Sequence, residues 1–338
     1  RARGPSARYP TPLRSEEPLN GYFVSQEFPT FTVDRRMALP EYLRLLTTWP
    51  EMWERVREGE SGMGGRRKRV HPDKLLAVLI PLPQLREQAR LIDLVNACDS
   101  AAEQTAVLVR AAQNGWRALA DELIGSLERR HPLGSAADVT MGRQRSPKDA
   151  SGAHMVPYLR AANVKDGRLE LDDVLEMNFT PAEQKTFTLR IGDVLVTEGC
   201  GSLGQLGASA IWGEARDEVV CFQNTLLRLR AIEGTTTPAF LHHLARYSHR
   251  AGWWATIASG TNIFHIGSER AKAMPIPLPT LAEQDRITSV LDAADEVGRR
   301  ATAQLAASRD ARSRLLNDLL SGAHEIPASY DELLERVS

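Results

Sequence analysis

The stretch Ile80-Pro81-Leu82-Pro83-Gln84-Leu85-Arg86-Glu87-Gln88 is repeated later in the chain as Ile276-Pro277-Leu278-Pro279-Thr280-Leu281-Ala282-Glu283-Gln284. A repeat of this kind is considered before any other feature because it fixes the architecture. Proline cannot continue a helix, and it drives the residue before it towards an extended conformation, so each Pro-x-Pro predicts an extended segment. We expect a helix to begin just after each copy, with Glu87 or Glu283 at its positive N-terminal end.

The residues after each copy predict a long helix with one buried stripe. Small and apolar side chains recur at alternating steps of four and three residues, and an average spacing of about 3.5 residues is typical of a two-helix coiled coil. The two series match position for position, apart from an interruption at Trp116 and at the equivalent Arg312. The first series is Leu91, Val95, Cys98, Ala102, Thr105, Val109, Ala112, Trp116, Leu119 and Leu123, and the second is Ile287, Leu291, Ala294, Gly298, Ala301, Leu305, Ser308, Arg312, Leu315 and Leu319.

These helices are long enough to separate two other parts of the protein. The first is predicted over residues 84–130, where a charged run and Pro132 end it. A helix of about 40 residues, at about 1.5 Å per residue, is about 60 Å long. We therefore expect the helix pair to act as a spacer.

Bulk composition describes an ordinary globular chain. Its 338 residues suggest two or three domains, and its hydrophobic and charged shares, 42% and 25%, are typical of such proteins. The sequence shows neither a secretory signal nor an apolar run of about 18 residues, so we expect no membrane span and a cytoplasmic location. Cys98, Cys200 and Cys221 are widely spaced, which fits a reducing compartment and gives no zinc pattern.

The charge is distributed unevenly. A formal net charge of −1 argues against a general nucleic-acid coat, but basic residues are concentrated in residues 140–168 and in residues 66–69, Arg-Arg-Lys-Arg. Local basic clusters on a nearly neutral chain fit a protein that contacts DNA at selected points. The end of the chain, residues 325–338, is acidic.

Two globular regions precede the two motif copies, and they resemble each other. Residues 219–229 parallel residues 22–32, Pro238 and the residues after it parallel the segment that begins at Pro40, and Ser259-Gly260 parallels Ser61-Gly62. On this alignment residues 1–75 correspond to the second half of a domain that residues 131–275 contain whole. The predicted division is residues 1–75, an incomplete first domain; 76–130, a long helix; 131–275, a complete second domain; 276–324, a second long helix; and 325–338, an acidic tail.

Local patterns within the globular regions predict both helices and strands, which is typical of an α+β fold. Strands are predicted at residues 21–24, 28–33, 157–160, 193–197, 208–212 and 219–230, and helices at residues 40–53 and 238–248. Residues 133–139 are predicted to run from a short helix into a strand. A basic loop covers residues 141–152, and a glycine-rich loop follows at residues 198–204.

With the doubled motif, a long heptad helix after each copy and the stretch Gly192-Asp-Val-Leu-Val-Thr-Glu-Gly-Cys-Gly-Ser-Leu-Gly204, the chain resembles the specificity subunits of type I restriction-modification systems. The resemblance covers nearly the whole chain. It implies an α+β fold in which target-recognition domains are joined by long helices that form an antiparallel two-helix coiled coil. The chain departs from the family in its first recognition domain, which has about half the expected length. Reading of the first half-site by this chain is therefore in question.

The resemblance also implies what the chain does and with what. It implies a non-catalytic subunit whose two recognition domains each read one half of a split sequence in double-stranded DNA. Its implied partners are two methyltransferase subunits and, in the full nuclease, translocating restriction subunits. S-adenosylmethionine, ATP and Mg²⁺ are implied for those partners, and we expect no cofactor and no metal on this chain.

Candidate DNA contacts lie in four loops. Arginine can hold guanine O6 and N7 together and glutamine can pair with adenine, whereas lysine and serine more often touch phosphate. Three of these loops have a structural alternative: a solvated surface loop for the basic segment, a tight turn, rather than a phosphate-binding loop, for the glycine-rich segment, and packing of Phe264 and Ile266 for the loop before the second motif copy. The candidates are Arg143, Gln144, Arg145 and Lys148 with Arg160 and Asn163 beyond them; Ser202 and Gln205; Thr261 and Asn262; and Arg67 and Lys68.

The motif residues Glu87, Gln88, Glu283 and Gln284 are candidates for docking the methyltransferase, with helix capping alone as the alternative. The alternative function is a truncated or regulatory protein of the same fold that binds the methyltransferase but reads DNA poorly. An enzyme is the third hypothesis. It has little support, because neither the Asn-Pro-Pro-aromatic tetrapeptide nor a methyl-donor glycine motif is present, and Cys221 with His242, His243 and His249 is more typical of a structural group than of a thiol or metal site.

Overall fold

The computed structural model describes residues 30–58, 72–213, 218–327 and 329–331. Its helices are α1 Pro40–Leu46, α2 Pro50–Glu58, α3 Pro72–Leu76, α4 Leu85–Ala120, α5 Pro181–Phe187, α6 Pro238–Arg250, α7 Trp253–Thr256, α8 Ser268–Ala273 and α9 Leu281–Leu320. Its strands are β1 His131–Pro132, β2 Ala137–Met141, β3 Met155–Leu159, β4 Val164–Lys165, β5 Arg168–Leu169, β6 Leu175–Asn178, β7 Val194–Thr197, β8 Gly199–Cys200, β9 Ser209–Ile211, β10 Cys221–Phe222, β11 Leu226–Ala231, β12 Phe264–His265 and β13 Pro275–Ile276. One turn of π-helix, Asp121–Gly125, follows α4, and short 3₁₀ turns lie at Leu133–Ser135, Pro147–Asp149 and Ala161–Asn163.

The chain divides into two compact units. Unit 1 comprises the described residues up to Val109 together with those from Arg300 onward, and unit 2 is Arg110–Arg299. Both long helices contribute residues to both units. The five-part division predicted from the sequence assigns the long helices and the globular regions to separate parts. The two compact units do not test that division, and its boundaries remain a prediction.

The two long helices are confirmed, with 36 residues in α4 and 40 in α9. Every position of both predicted stripes is buried or half-buried. The periodicity therefore identified the inward face of each helix along its whole length. The predicted lengths were also close to those found, because an extended proline segment starts each helix and neither contains a proline.

Within each unit the two helices run antiparallel. In unit 1 the Arg312 guanidinium donates to Asp99 at 2.8 Å, and Arg90, earlier in α4, pairs with Asp331, later in the chain. In unit 2 small residues meet: a Cβ added at Gly298 would lie 3.8 Å from the Cβ of Ala112. The small residues of the two stripes therefore let the helix backbones approach closely where these two residues meet.

The two interruptions of the stripe have local explanations. Trp116 is buried, and the guanidinium of Arg246, on α6, lies 4.0 Å from the centre of its ring. Arg312 is ion-paired with Asp99 and also donates to the Thr48 hydroxyl at 3.2 Å. At each exception, therefore, the helix contacts the globular part of its own unit.

Unit 2 is built on an antiparallel sheet of four strands in the order β2-β11-β7-β9. Along β7, Val194 and Val196 belong to the apolar cluster that includes α6, and Leu195 belongs to a second cluster on the other face. Successive side chains of a strand point to opposite faces, so this all-buried strand packs on both sides. A second sheet, β10-β3-β6, pairs β10 with β3 in parallel and β3 with β6 antiparallel.

Three local predictions were wrong. The helix expected over residues 40–53 is two helices, because Pro50 disfavours a helical conformation at the preceding residue and cannot continue α1. The strand expected over residues 219–230 is interrupted between β10 and β11 by residues 223–225, which join neighbouring loops. The strand expected over residues 28–33 is absent from residues 30–33, the part of it that is described. Residues 21–24 and Ser61-Gly62 lie outside the described residues.

The last residue of each motif copy is a fully buried glutamine that joins a long helix to the globular part of its unit. In unit 1, Gln88 Oε1 accepts from the Leu39 backbone N–H at 2.8 Å. Its Nε2 donates to the Met37 and Pro83 carbonyls at 2.9 and 2.8 Å. Leu39 is the residue just before α1, so one amide side chain connects the start of α1, the second motif proline and α4.

The second copy repeats this arrangement atom for atom in unit 2. Gln284 Oε1 accepts from the Thr237 N–H at 2.9 Å, and Nε2 donates to the Thr235 and Pro279 carbonyls, each at 3.0 Å. Thr237 directly precedes α6, as Leu39 precedes α1. The Thr236 hydroxyl adds a bond to Oε1 at 3.2 Å. The repeated Glu-Gln therefore reflects a repeated way of attaching a globular part to a helix.

The change Gln284→Ala is expected to lower the free energy of unfolding by about 3 kcal/mol, because buried backbone groups lose their partners. Gln284→Glu keeps the size but cannot donate to the two carbonyls, and it should also destabilise. Urea denaturation followed by tryptophan fluorescence measures both. Gln304 is exposed on the same helix, and Gln304→Ala should change stability by less than about 0.5 kcal/mol. Equal effects at the two positions would contradict the assignment.

Candidate nucleic-acid interface

The basic loop begins where β2 ends, and Gly142 lets it pass very close to another segment. A Cβ at Gly142 would lie 2.2 Å from the Gln223 carbonyl oxygen, so no side chain fits there. Beyond it the side chains of Gln144, Arg145 and Lys148 are exposed. The structure therefore presents these three predicted contacts to solvent.

Arg143 differs from the other candidates in the basic loop. Its Nε donates to Glu183 at 2.6 Å, its Nη1 lies 3.1 Å from Asp149, and its side chain is 13% exposed. Burial alone would raise the pKa of the Glu183 carboxyl, but hydrogen bonds from Arg143 and from Thr180 outweigh burial and hold that pKa below its usual value. Direct base contact by Arg143 is thus a prediction that this geometry corrects, because its guanidinium is engaged in holding the loop.

Asn163 is likewise corrected by the structure. It is buried, accepts at Oδ1 from the Arg160 backbone N–H at 3.0 Å, and donates to the carbonyls of Glu170 and Asp173 at 2.9 and 3.0 Å. These three bonds leave it no exposed polar group for a ligand. The Arg160 guanidinium pairs with Asp173 at 2.5 Å. Its side chain is 23% exposed, so it is only partly accessible.

The glycine-rich loop and the loop before β12 are neighbours. Strands β8 and β12 pair antiparallel, and a Cβ at Gly201 would lie 4.0 Å from the Asn262 carbonyl oxygen. The sequence-predicted side chains of these two loops are exposed: Ser202, Gln205, Thr261 and Asn262. Strand pairing thus brings together two segments that are about sixty residues apart in the chain.

Residues 223–225 connect these loops to the basic loop. The Asn224 N–H donates to the Arg143 carbonyl at 3.0 Å, and the Glu198 N–H, just before the glycine-rich loop, donates to the Thr225 carbonyl at 2.9 Å. The Thr225 hydroxyl accepts from the Ala161 N–H at 3.0 Å, beside Arg160. The break between β10 and β11 therefore gathers the predicted loops of unit 2 at one end of its sheets.

Sequence reasoning assigned no role to Glu198 and His265, which form a pair inside this loop cluster. His265 Nδ1 lies 3.1 Å from the Glu198 carboxylate, which is almost fully buried, whereas the histidine side chain is 53% exposed. No spacing rule links residues so far apart. The signal available in the sequence was a lone carboxylate between the apolar run of β7 and a glycine, where a buried charge needs a partner.

The motif residues are placed differently from one another. Gln88 and Gln284 are fully buried, which corrects the expectation that they contact a partner directly. Glu283 caps its own helix, accepting from both the Thr280 hydroxyl and N–H, and these bonds lower the pKa of its carboxyl. Glu87 is half-buried and pairs with Arg90 at 3.1 Å. Docking by the two glutamates remains a prediction, and Arg67 and Lys68 lie outside the described residues.

Three of the four groups considered for a thiol or metal site, Cys221, His242 and His243, are buried in unit 2. Burial raises the pKa of the Cys221 thiol to about 11 and lowers the pKa values of His242 and His243. His243 Nε2 lies 2.8 Å from Asp292 on α9. Among the described residues no group of histidine, cysteine and carboxylate side chains could hold a metal ion.

No helix in the described part of the chain is long and apolar enough to cross a membrane.

In sequence, the chain is similar to the specificity subunit of the type I restriction enzyme StySPI from Salmonella potsdam. The two are 25% identical over 139 residues, which is 40% of this chain. The match spans 29% of the length of that curated relative. No protein-family model matches the chain.

In structure, the chain is similar to one solved for the complex assembly and conformational transition of a type I restriction-modification system. The TM-score is 0.53 at 20% identity, covering 84% of this chain and 72% of that one. Lower scores relate it to the HsdS subunit of Thermoanaerobacter tengcongensis (0.43, 19% identity, 85% and 71% covered) and to the S subunit of M. genitalium (0.49, 13% identity, 87% and 75% covered). The resemblance predicted from the doubled motif is confirmed: the chain is similar in sequence to a type I restriction enzyme specificity subunit over 139 residues, and its fold over 84% of its length is similar to that of a chain from a type I restriction-modification system.

Proposed function

We propose that this chain is a non-catalytic subunit that recognises a DNA sequence within a type I restriction-modification complex. The observation that carries the proposal is the loop cluster of unit 2. Segments far apart in the chain meet around residues 223–225 and expose polar and basic side chains, while Arg143 and Asn163 hold the loops from within. Rigid placement of a few exposed side chains is what a recognition surface requires.

The exposed residues suit double-stranded DNA. Arg145 is long enough to reach guanine O6 and N7 in the major groove, and Gln144 to pair with an adenine edge. Lys148 and Ser202 are suited to phosphate oxygens, which fix position without reading sequence. In this account unit 2 reads one half of a split target.

The helix pair and the motif supply the rest of the proposed assembly. The antiparallel helices act as a coiled-coil spacer that sets the distance between the two half-sites. Two methyltransferase subunits dock on the outer faces of the helices near Glu87 and Glu283, and restriction subunits join the complete nuclease. The partners supply the chemistry with S-adenosylmethionine, ATP and Mg²⁺, and the complex acts on DNA in the cytoplasm.

Methylome sequencing tests this function directly. The chain is co-expressed with the methyltransferase of its host in a bacterium without adenine methylation. We expect one split motif to be methylated, and methylation of that motif to vanish when the chain is omitted. Methylation without a sequence motif would overturn the proposal. A stable complex with the methyltransferase that neither binds nor methylates DNA would instead identify a regulatory assembly protein.

The double change Arg145→Ala, Lys148→Ala is expected to weaken binding of the assembled complex to a duplex carrying the motif by about 10- to 100-fold, because a base contact and a phosphate contact are lost. Fluorescence anisotropy measures the affinity of the complex for the duplex. The salt concentration is kept fixed because phosphate contacts make the affinity salt-dependent. Arg130→Ala, Lys272→Ala removes the same two charges outside the loop cluster and should have little effect. Equal weakening by both double variants would show a general charge effect rather than a contact.

A further inference from the structure

In the loop cluster of unit 2, the exposed His265 is paired with the buried carboxylate of Glu198. Glu198 lies between β7 and β8, and its side chain is 5% exposed. Its Oε1 accepts from the Gly267 N–H at 3.2 Å, and its Oε2 lies 3.1 Å from His265 Nδ1. Burial of a carboxylate is unfavourable unless the carboxylate is hydrogen-bonded, so these two partners explain why Glu198 can be buried at this position.

The imidazole ring of His265 is fixed from a second side. Strand pairing places His265 opposite Gly199, and a Cβ at Gly199 would lie 2.9 Å from both Cε1 and Nδ1 of the ring. The backbone on either side is also restrained, because the Ser259 and His265 backbones exchange hydrogen bonds at 3.0 and 2.8 Å. The ring is therefore positioned by the Glu198 carboxylate and by the strand pairing, and the absence of a side chain at Gly199 leaves space for it.

This arrangement leaves one ring nitrogen for a ligand. The Nδ1 atom is the ring nitrogen engaged with the Glu198 carboxylate, at 3.1 Å. The Nε2 atom is then the free polar group of a side chain that is 53% exposed. Exposed Ser202 and Asn262 lie on the two loops that β8 and β12 join. An exposed imidazole oriented by a buried carboxylate resembles a positioned functional group more than a core histidine.

We propose that His265 contacts double-stranded DNA through Nε2 and that Glu198 is its positioning residue. The inference rests on the proposed function, which it deepens by naming a contact that the basic loop does not contain. Nε2 can hydrogen-bond either a base edge or a phosphate oxygen. In both cases Glu198 acts only through the ring, because its own carboxylate is buried.

A purely structural role for the pair makes a different prediction. If Glu198 and His265 only brace the loops, their replacement lowers stability and DNA affinity is lost only through unfolding. If the pair contacts DNA, affinity changes while the exposed His265 can be removed with little loss of stability. Measurements of DNA affinity and of thermal stability on the same variants therefore separate the two.

The experiment uses the complex of the full chain with its methyltransferase, a duplex carrying the methylated motif and a scrambled duplex of equal length. His265→Ala is expected to weaken binding to the motif duplex about tenfold while the melting temperature stays within about 2 °C of wild type. Loss on the motif duplex alone identifies a base contact, and equal loss on both duplexes identifies a phosphate contact. His131→Ala, at an exposed histidine on β1, is the matched control and should bind as wild type does.

A double-mutant cycle tests the positioning role of Glu198. Glu198→Gln has the same size and should weaken binding, but Glu198→Gln combined with His265→Ala should bind no worse than His265→Ala alone, because Glu198 acts through the ring. Wild-type affinity of His265→Ala for both duplexes would overturn the proposal, and so would additive losses in the double variant. If the wild-type complex itself does not prefer the motif duplex, the proposed function fails and the contact fails with it.

Discussion

The architecture depends on one buried side-chain amide used twice. Gln88 and Gln284 each accept a hydrogen bond from the backbone N–H of the residue that precedes a helix of the globular part. Each also donates to two backbone carbonyls, one of which belongs to the second proline of the motif. The proline keeps its carbonyl in an extended segment that lies outside the long helix. The glutamine lies in the first turn of that helix. Because most of the bonds are to backbone atoms, this attachment fixes the junction while placing few demands on the side chains of the globular part.

The loop cluster of unit 2, which is the proposed recognition surface, is also held together by buried polar side chains. Arg143, Asn163 and Glu198 all place polar or charged groups in protected positions. Arg143 and Glu198 pair with segments that are distant in the chain, whereas Asn163 bonds to the nearby Glu170 carbonyl. Their partners fix the loops, and the neighbouring exposed side chains are left free. Charge in this domain therefore has two places: paired charges organise the loops, and exposed charges on the same loops are the proposed contacts to DNA.

The sequence predicted the long helices, their buried stripes and the repeated motif because periodicity and proline are local signals. It missed the division of residues 40–53 at Pro50 and the break between β10 and β11. It also named Arg143 and Asn163 as contacts although their neighbours bury them. Residue type alone does not show whether an arginine faces DNA or an acidic pair such as Asp149 and Glu183, because that pairing is made by tertiary structure. The Glu198–His265 pair was missed for the same reason.

The most direct test of the account exchanges the proposed second recognition domain. Residues 131–275 are replaced by the equivalent domain of a relative with a known target, both motif copies are kept, and the methylated sequence is determined. The bonds of Gln284 go mostly to backbone atoms, which an equivalent domain also presents, so the domain should be exchangeable. The account predicts that one half of the split motif changes to that of the donor, while the other half and the spacer length are retained. An unchanged motif, or the simultaneous loss of both halves in a folded complex, would contradict it.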